Sequence, residues 1–250
     1  RQPDFLNTVI TRLYLEQEFI QSMESTIHAF LLSHSGLEFG AVTPKGDHIS
    51  INIAGRNVSS LVMMEFLRSA PVQRFLPPNQ RREKPLNYFK GKFPIAPAQN
   101  LYGDRYVTIG DAAGLMRPFK GKGINSAINT GVYSARSIIR HGVSKNAFAD
   151  NYYQHCSELT EDLPYGRAVR ILTNMATRFK FMDHMIAVAA ERPEFMKALF
   201  NSVSGHDPYK KILIETASLR LAIIFAKRLL AHFVLCQPAH LPASGALRVG

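Results

Sequence analysis

Asp111 closes a β-branched run, Tyr106-Val107-Thr108-Ile109, and Gly114, Pro118, Gly121 and Gly123 follow it. A carboxylate at the carboxyl end of a strand can accept hydrogen bonds from the hydroxyls of a sugar-like ligand. Gly110 and Gly114 let backbone approach such a ligand without a Cβ in the way, and Pro118 stiffens the turn. Gly121 and Gly123 free the amides at the start of the next segment. If that segment is a helix, its first N–H groups and the positive end of its dipole favour a negative atom. The same spacing also suits a plain strand-to-helix connection in which Asp111 is an N-cap. Spacing alone leaves both readings open.

The remaining residues offer little competing chemistry. The nine histidines show no metal-ligating or hydrolase spacing, no P-loop or GxSxG occurs, and His48 reads as a surface residue beside a turn. No metal site and no catalytic residue is assigned. Cys156 and Cys236 are far apart and form no CxxC pair, so a reducing compartment is expected. Thirty Lys and Arg against nineteen Asp and Glu give a net charge of +11, which favours anionic partners. Arg117, Lys120 and Lys122 could lie near phosphate or a reductant, but each alone reads as a solvated cation.

The elements that must position this stretch follow from periodicity. Residues 5–25 mix strand and helix signals, and 25–33 read as a buried strand. Residues 37–55 read as a hairpin turning on Pro44-Lys45-Gly46-Asp47, after which Ile49, Ile51 and Ile53 alternate with Ser50, Asn52 and Ala54. Val58 to Phe75 has helical spacing, and the loop beyond it ends in an extended segment. A strand is expected over 105–109. Past Gly123, residues Ile124, Ala127, Ile128, Gly131, Val132, Ala135, Ile138 and Ile139 fall on one helical face. The small residues within it suit close approach to a sheet. The rest reads as successive helices broken near Pro164, Pro193 and Gly205-Pro208. Residues 210–236 read as one long apolar helix relieved by Arg220, Lys227 and Arg228, suited to the core or to a membrane surface.

The full string "GDAAGLMRPFKGKGINSAINTGVYSA" resembles the second FAD-binding motif of the glutathione-reductase-like flavoproteins, and most of all the geranylgeranyl reductase family. "FGAVTPKGDHISINIAG" resembles that family's substrate-domain hairpin, and "YKKILIE" its C-terminal region. The resemblance covers about residues 25–230. It implies FAD as cofactor, with Asp111 on the ribityl chain and the Pro118–Gly123 loop beside the isoalloxazine ring. It also implies that the amides around Gly123, Ile124 and Asn125 face the N1/O2 edge of the ring. The implied cofactor-binding set is therefore Gly110, Asp111, Gly114, Pro118, Gly121, Gly123, Ile124 and Asn125. The family's GxGxxG unit for the FAD pyrophosphate is missing. Together with the opening Arg1-Gln2-Pro3, this reads as the C-terminal portion of a longer flavoprotein.

The expected fold is α+β: an antiparallel substrate-domain sheet with a helix (1–100), a strand–Gly-Asp loop–helix motif of an FAD-binding domain (101–143), a helical region (144–236) and a mobile tail (237–250). The implied reaction is flavin hydride transfer to alkene bonds of an isoprenoid, with NAD(P)H or ferredoxin as reductant. An FAD-dependent aromatic monooxygenase and a non-catalytic lipid- or protein-binding remnant are the alternatives. A cytoplasmic location with peripheral membrane contact is expected, and nucleic acid is not expected as a partner.

Overall fold

A computed structural model describes residues 4–32, 36–77, 86–117, 123–204, 207–217, 223–228, 230 and 246–249. The chain divides into two compact units. One comprises residues 7–92, 173–197 and 217–250, and the other residues 1–6, 93–172 and 198–216.

The first unit is built on an antiparallel sheet. Its strands are β1 (Phe5–Tyr14), β2 (Ile27–Phe30), β3 (Phe39–Lys45), β4 (His48–Gly55), β5 (Phe89–Pro94) and β8 (Ala246–Val249), in the order β5-β1-β4-β3-β2-β8. β3 and β4 form the expected hairpin, but Pro44 pairs with Ile49 and Lys45 with His48, so only Gly46 and Asp47 make the turn. Proline thus lies in the ladder rather than at a turn corner. The alternation in β4 decides which face is covered: Ile49, Ile51 and Ile53 are fully buried, while Ser50 and Asn52 remain partly exposed. Val9, Val42, Met63 and Phe66 pack in the same core. Met63 and Phe66 come from helix α2 (Ser60–Arg68), whose first turn is capped by the Ser59 side chain accepting from the Val62 N–H. The helix expected over 58–75 is interrupted, because Ser69 turns extended and Pro71 sits at the start of the short α3 (Ala70–Gln73). The ambiguous segment 5–25 is β1 followed by α1 (Gln17–Ser22).

Two further expectations, one of them spanning both units, are corrected. Within the tail 237–250, residues Ala246–Val249 pair antiparallel with β2, because backbone hydrogen bonding needs no apolar periodicity in the partner. The long helix expected over 210–236 is not continuous: α10 (Tyr209–Thr216) ends before Ala217, and the helix over 223–228 is separate. Residues 218–222, which include Arg220, and 231–236 lie outside the described residues. No helix among the described residues is long and apolar enough to cross a membrane.

The second unit carries a two-stranded ladder, β6 (Tyr102–Gly103) with β7 (Tyr106–Val107), then the single turn α4 (Gly110–Ala113) and the long α5 (Ile124–His141). The strand expected over 105–109 is shorter than its β-branched run. Arg105 lies in the left-handed region at φ 60°, and Thr108 and Ile109 fall outside the ladder. After α5 come α6 (Lys145–Phe148), a π turn at Ala149–Tyr153, a 3-10 turn at Gln154–Cys156 and α7 (Ser157–Arg178). Pro164 lies inside α7 instead of breaking it: its missing donor and its ring disturb the bond to the carbonyl four residues earlier, and the helix continues on both sides. The remaining helices are α8 (Met182–Glu191), which belongs to the first unit, and α9 (Pro193–Ser204), which begins at Pro193.

The face that α5 buries is the opposite of the one expected. Ser126, Thr130, Ser134 and Ser137 are buried, whereas Ile124, Ile128, Val132, Ile138 and Ile139 are 77, 59, 40, 42 and 82% exposed. At 3.6 residues per turn these two stripes lie on roughly opposite sides of the helix. The polar stripe can be buried because its hydroxyls satisfy themselves locally. Thr130 Oγ1 donates toward the Ser126 carbonyl at 2.6 Å, Ser134 Oγ to the Gly131 carbonyl at 2.9 Å, and Ser137 Oγ to the Ala147 carbonyl at 3.2 Å.

Candidate functional site

The Gly-Asp turn is assembled by bonds that converge on it from both sides in sequence. The Thr108 N–H and hydroxyl both donate to the Leu101 carbonyl, at 2.8 and 2.9 Å. The Tyr152 hydroxyl, from the π turn, donates to the Thr108 carbonyl at 2.6 Å. Tyr152 is fully buried, and burial pushes its phenol pKa well above the usual value, so it stays protonated as a donor. One residue pair further on, the Gly110 N–H donates to Thr130 Oγ1 at 3.0 Å, which ties the turn to the buried face of α5.

Gly110 adopts φ 56° and begins α4, and a Cβ there would come within 3.3 Å of the Ala127 methyl. Gly114 ends α4 in the left-handed region at φ 66°, with its N–H donating to the Asp111 carbonyl at 3.1 Å. A Cβ on Gly114 would lie 2.2 Å from the Ala96 carbonyl oxygen, so only glycine fits. Asp111 is exposed, and the N-cap positions of α4 and α5 are Ile109 and Gly123. Its side chain is therefore not the cap that a plain strand-to-helix connection would use.

Asp111 and Gly123 meet in space. A Cβ placed on Gly123 would lie 2.9 Å from Asp111 Oδ1 and 2.7 Å from Met116 Cε. The carboxylate thus sits beside the first turn of α5, where Ile124 and Asn125 are exposed and where Gly123 brings no side-chain cap. Gly110, Asp111, Gly114, Gly123, Ile124 and Asn125 are brought together at this junction. Pro118 and Gly121, with Lys120 and Lys122, lie outside the described residues. Arg117 does not behave as a solvated cation. It is half-buried, its guanidinium lies 4.1 Å from the centre of the Tyr209 ring, and it donates to the Asp207 carbonyl at 2.7 Å.

Thr108, Thr130 and Tyr152 support the site without having been singled out in the sequence. For Thr130 a signal existed: Ser126, Thr130, Ser134 and Ser137 recur at helical spacing. A separate cavity of about 780 Å³, lined by Tyr102, Tyr106, Lys145, Tyr153 and Arg167 among others, does not include Asp111 or Gly123.

No family model matches this chain. It is 25% identical over 185 residues to digeranylgeranylglycerophospholipid reductase 2 of Methanosphaera stadtmanae, covering 69% of this chain and 43% of the relative. Among solved structures it is similar to a geranylgeranyl bacteriochlorophyll reductase-like protein from Thermoplasma acidophilum. That likeness has a TM-score of 0.57 at 14% identity and covers 86% of this chain and 55% of the other. The mixed helix and antiparallel-sheet fold is therefore shared with a reductase-like protein. The chain spans less than half the length of the curated relative that it matches.

Proposed function

We propose that this chain is the substrate-domain and second-motif portion of an FAD-dependent oxidoreductase that reduces alkene bonds of an isoprenoid substrate. The observation that carries the reading is the meeting of the Asp111 carboxylate with the glycine start of α5. A ligand with hydroxyls near one end of the junction and a developing negative charge near the other would be held by both. FAD has that chemistry in its ribityl chain and in the N1/O2 edge of its ring. The space a Cβ would take at Gly123 is kept open beside the carboxylate, so the described residues fit such a group. The names of the curated relative and of the solved neighbour support the substrate class.

When bound, the flavin supplies the hydride for the alkene. This chain's part is to bind and orient: Asp111 accepts a hydrogen bond from a ribityl hydroxyl, and the first amides of α5 with Ile124 and Asn125 stabilise negative charge. NAD(P)H or ferredoxin is the reductant in this reading. The net charge of +11 and a lipid-like substrate support peripheral contact with anionic membrane, which co-sedimentation with anionic vesicles at low salt tests directly.

The experiment for the flavin uses this chain completed with a GxGxxG-bearing nucleotide-binding unit. Tight flavin binding is expected, seen as bound yellow absorbance. Asp111→Ala is expected to weaken it by about 1–3 kcal/mol, the cost of leaving a buried hydroxyl without its acceptor. A completed protein that stays colourless in excess FAD, or an Asp111→Ala variant that binds equally well, would defeat the reading.

A further inference from the structure

We infer that the cavity bordered by the β6–β7 hairpin, α6 and α7 is a binding site for a nucleoside phosphate, separate from the Gly-Asp junction. All of its lining residues belong to one compact unit, and its volume is about 780 Å³. That volume falls in the range of small-molecule sites. Neither Asp111 nor Gly123 borders it.

The lining brings together three kinds of contact that base, sugar and phosphate each require. Tyr102, Tyr106 and Tyr153 offer ring faces: Tyr106 and Tyr153 are exposed, and the rings of Tyr102 and Tyr153 lie 5.6 Å apart, centre to centre. An exposed aromatic face takes a nucleobase by stacking. Lys145 and Arg167 supply the cations. Both are exposed, and neither forms an ion pair with another described residue. Such groups take phosphate oxygens, and a guanidinium does so through two N–H groups at once. Asp104, at the hairpin tip, adds an exposed carboxylate to the same lining. It repels a bare phosphate, whereas the hydroxyls of a ribose can donate to it. The carboxylate therefore selects a nucleotide over a free inorganic anion.

Backbone contacts fix the walls. Gly103 pairs with Tyr106 across the ladder, and a Cβ on Gly103 would overlap the Tyr106 ring, so the ring lies over the glycine. The tip between them is held by Arg105, whose N–H donates to the Val143 carbonyl at 2.8 Å. In α7, Pro164 has no N–H, so the Thr160 carbonyl lacks its usual helical donor, and both residues line the cavity. The exocyclic amino group of an adenine can donate to that carbonyl.

The proposal does not depend on the flavin reading, and its test needs no flavin. A fluorescently labelled ADP is titrated into the full chain and its anisotropy followed. It is then displaced with ADP, adenosine, ribose 5-phosphate or inorganic phosphate at constant ionic strength. ADP is expected to displace it at least about tenfold better than the other three, since each of those lacks the base, the phosphate or both. Lys145→Gln and Arg167→Gln should each weaken ADP about tenfold and leave adenosine unchanged, whereas Tyr153→Ala should weaken both. All three side chains are exposed, so the unfolding midpoints of the variants should match that of the unaltered chain. No binding of ADP, or equal displacement by ribose 5-phosphate or inorganic phosphate, would overturn the inference. So would ADP binding that is indifferent to all three variants. Loss of ADP binding in Asp111→Ala would overturn it too, because the nucleotide would then sit at the Gly-Asp junction.

Discussion

β4 and α5 carry equally regular patterns, and the molecule treats them in opposite ways. In β4 the isoleucines of the period-two pattern are sealed in the core, between the sheet and Met63 and Phe66 of α2. In α5 the isoleucines of the helical pattern face outward and the hydroxyls face inward. A hydrophobic period fixes the type of element and the angular position of its apolar stripe. Which stripe is covered depends on what is present to cover it. β4 has its cover within this chain, whereas the apolar side of α5 is left exposed.

The sharpest way to break this comparison is one isoleucine-to-alanine truncation in each element. Ile51→Ala should destabilise the protein by about 2–5 kcal/mol, the range for emptying a well-packed aliphatic site. Ile128→Ala should stay within about 0.5 kcal/mol, as exposed positions do. Urea unfolding measures both, and equal losses would mean that the α5 stripe is covered within this chain. A second contrast uses glycine. Gly114→Ala should cost about 1–3 kcal/mol for the left-handed backbone alone, before its contact with the Ala96 carbonyl is counted.

Thr130→Val probes the buried hydroxyl stripe. It preserves side-chain shape but removes the acceptor of the Gly110 N–H, and about 1–3 kcal/mol should be lost. A neutral result would mean that the polar face of α5 is not held by this bond. Gly131→Ala should have the opposite sign, stabilising the isolated chain by about 0.5–1 kcal/mol because a helix-interior glycine gains a better helix former.

The sequence made the hairpin legible because its cover and its strands are local: β3, β4 and α2 follow one another within residues 39–68. The start of α5 after Gly123 was legible as well, because a change of hydrophobic period is a local signal, whereas the approach of Asp111 to Gly123 was not, because the turn that brings them together is set by contacts distant in sequence. The clamps on that junction were not. Tyr152 and Thr130 act over 44 and 20 residues of chain, and neither stands in a recognisable motif. Arg117 was misread for the same reason: its partners Asp207 and Tyr209 are distant in sequence, and nothing near residue 117 announces them. The β8 strand was missed because pairing with β2 requires only backbone groups.

The bond from Tyr152 to Thr108 also has a meaning in time. Because it closes a span of 44 residues, the entropy of bringing its ends together must be met before the bond returns anything. If the π turn reaches Thr108 only after α5 and α6 have formed, Tyr152→Phe should raise the unfolding rate and leave the folding rate nearly unchanged, which stopped-flow kinetics would measure. An interaction made after the folding barrier slows unfolding more than it speeds folding. With that outcome Tyr152 would be less a builder of the turn than its latch.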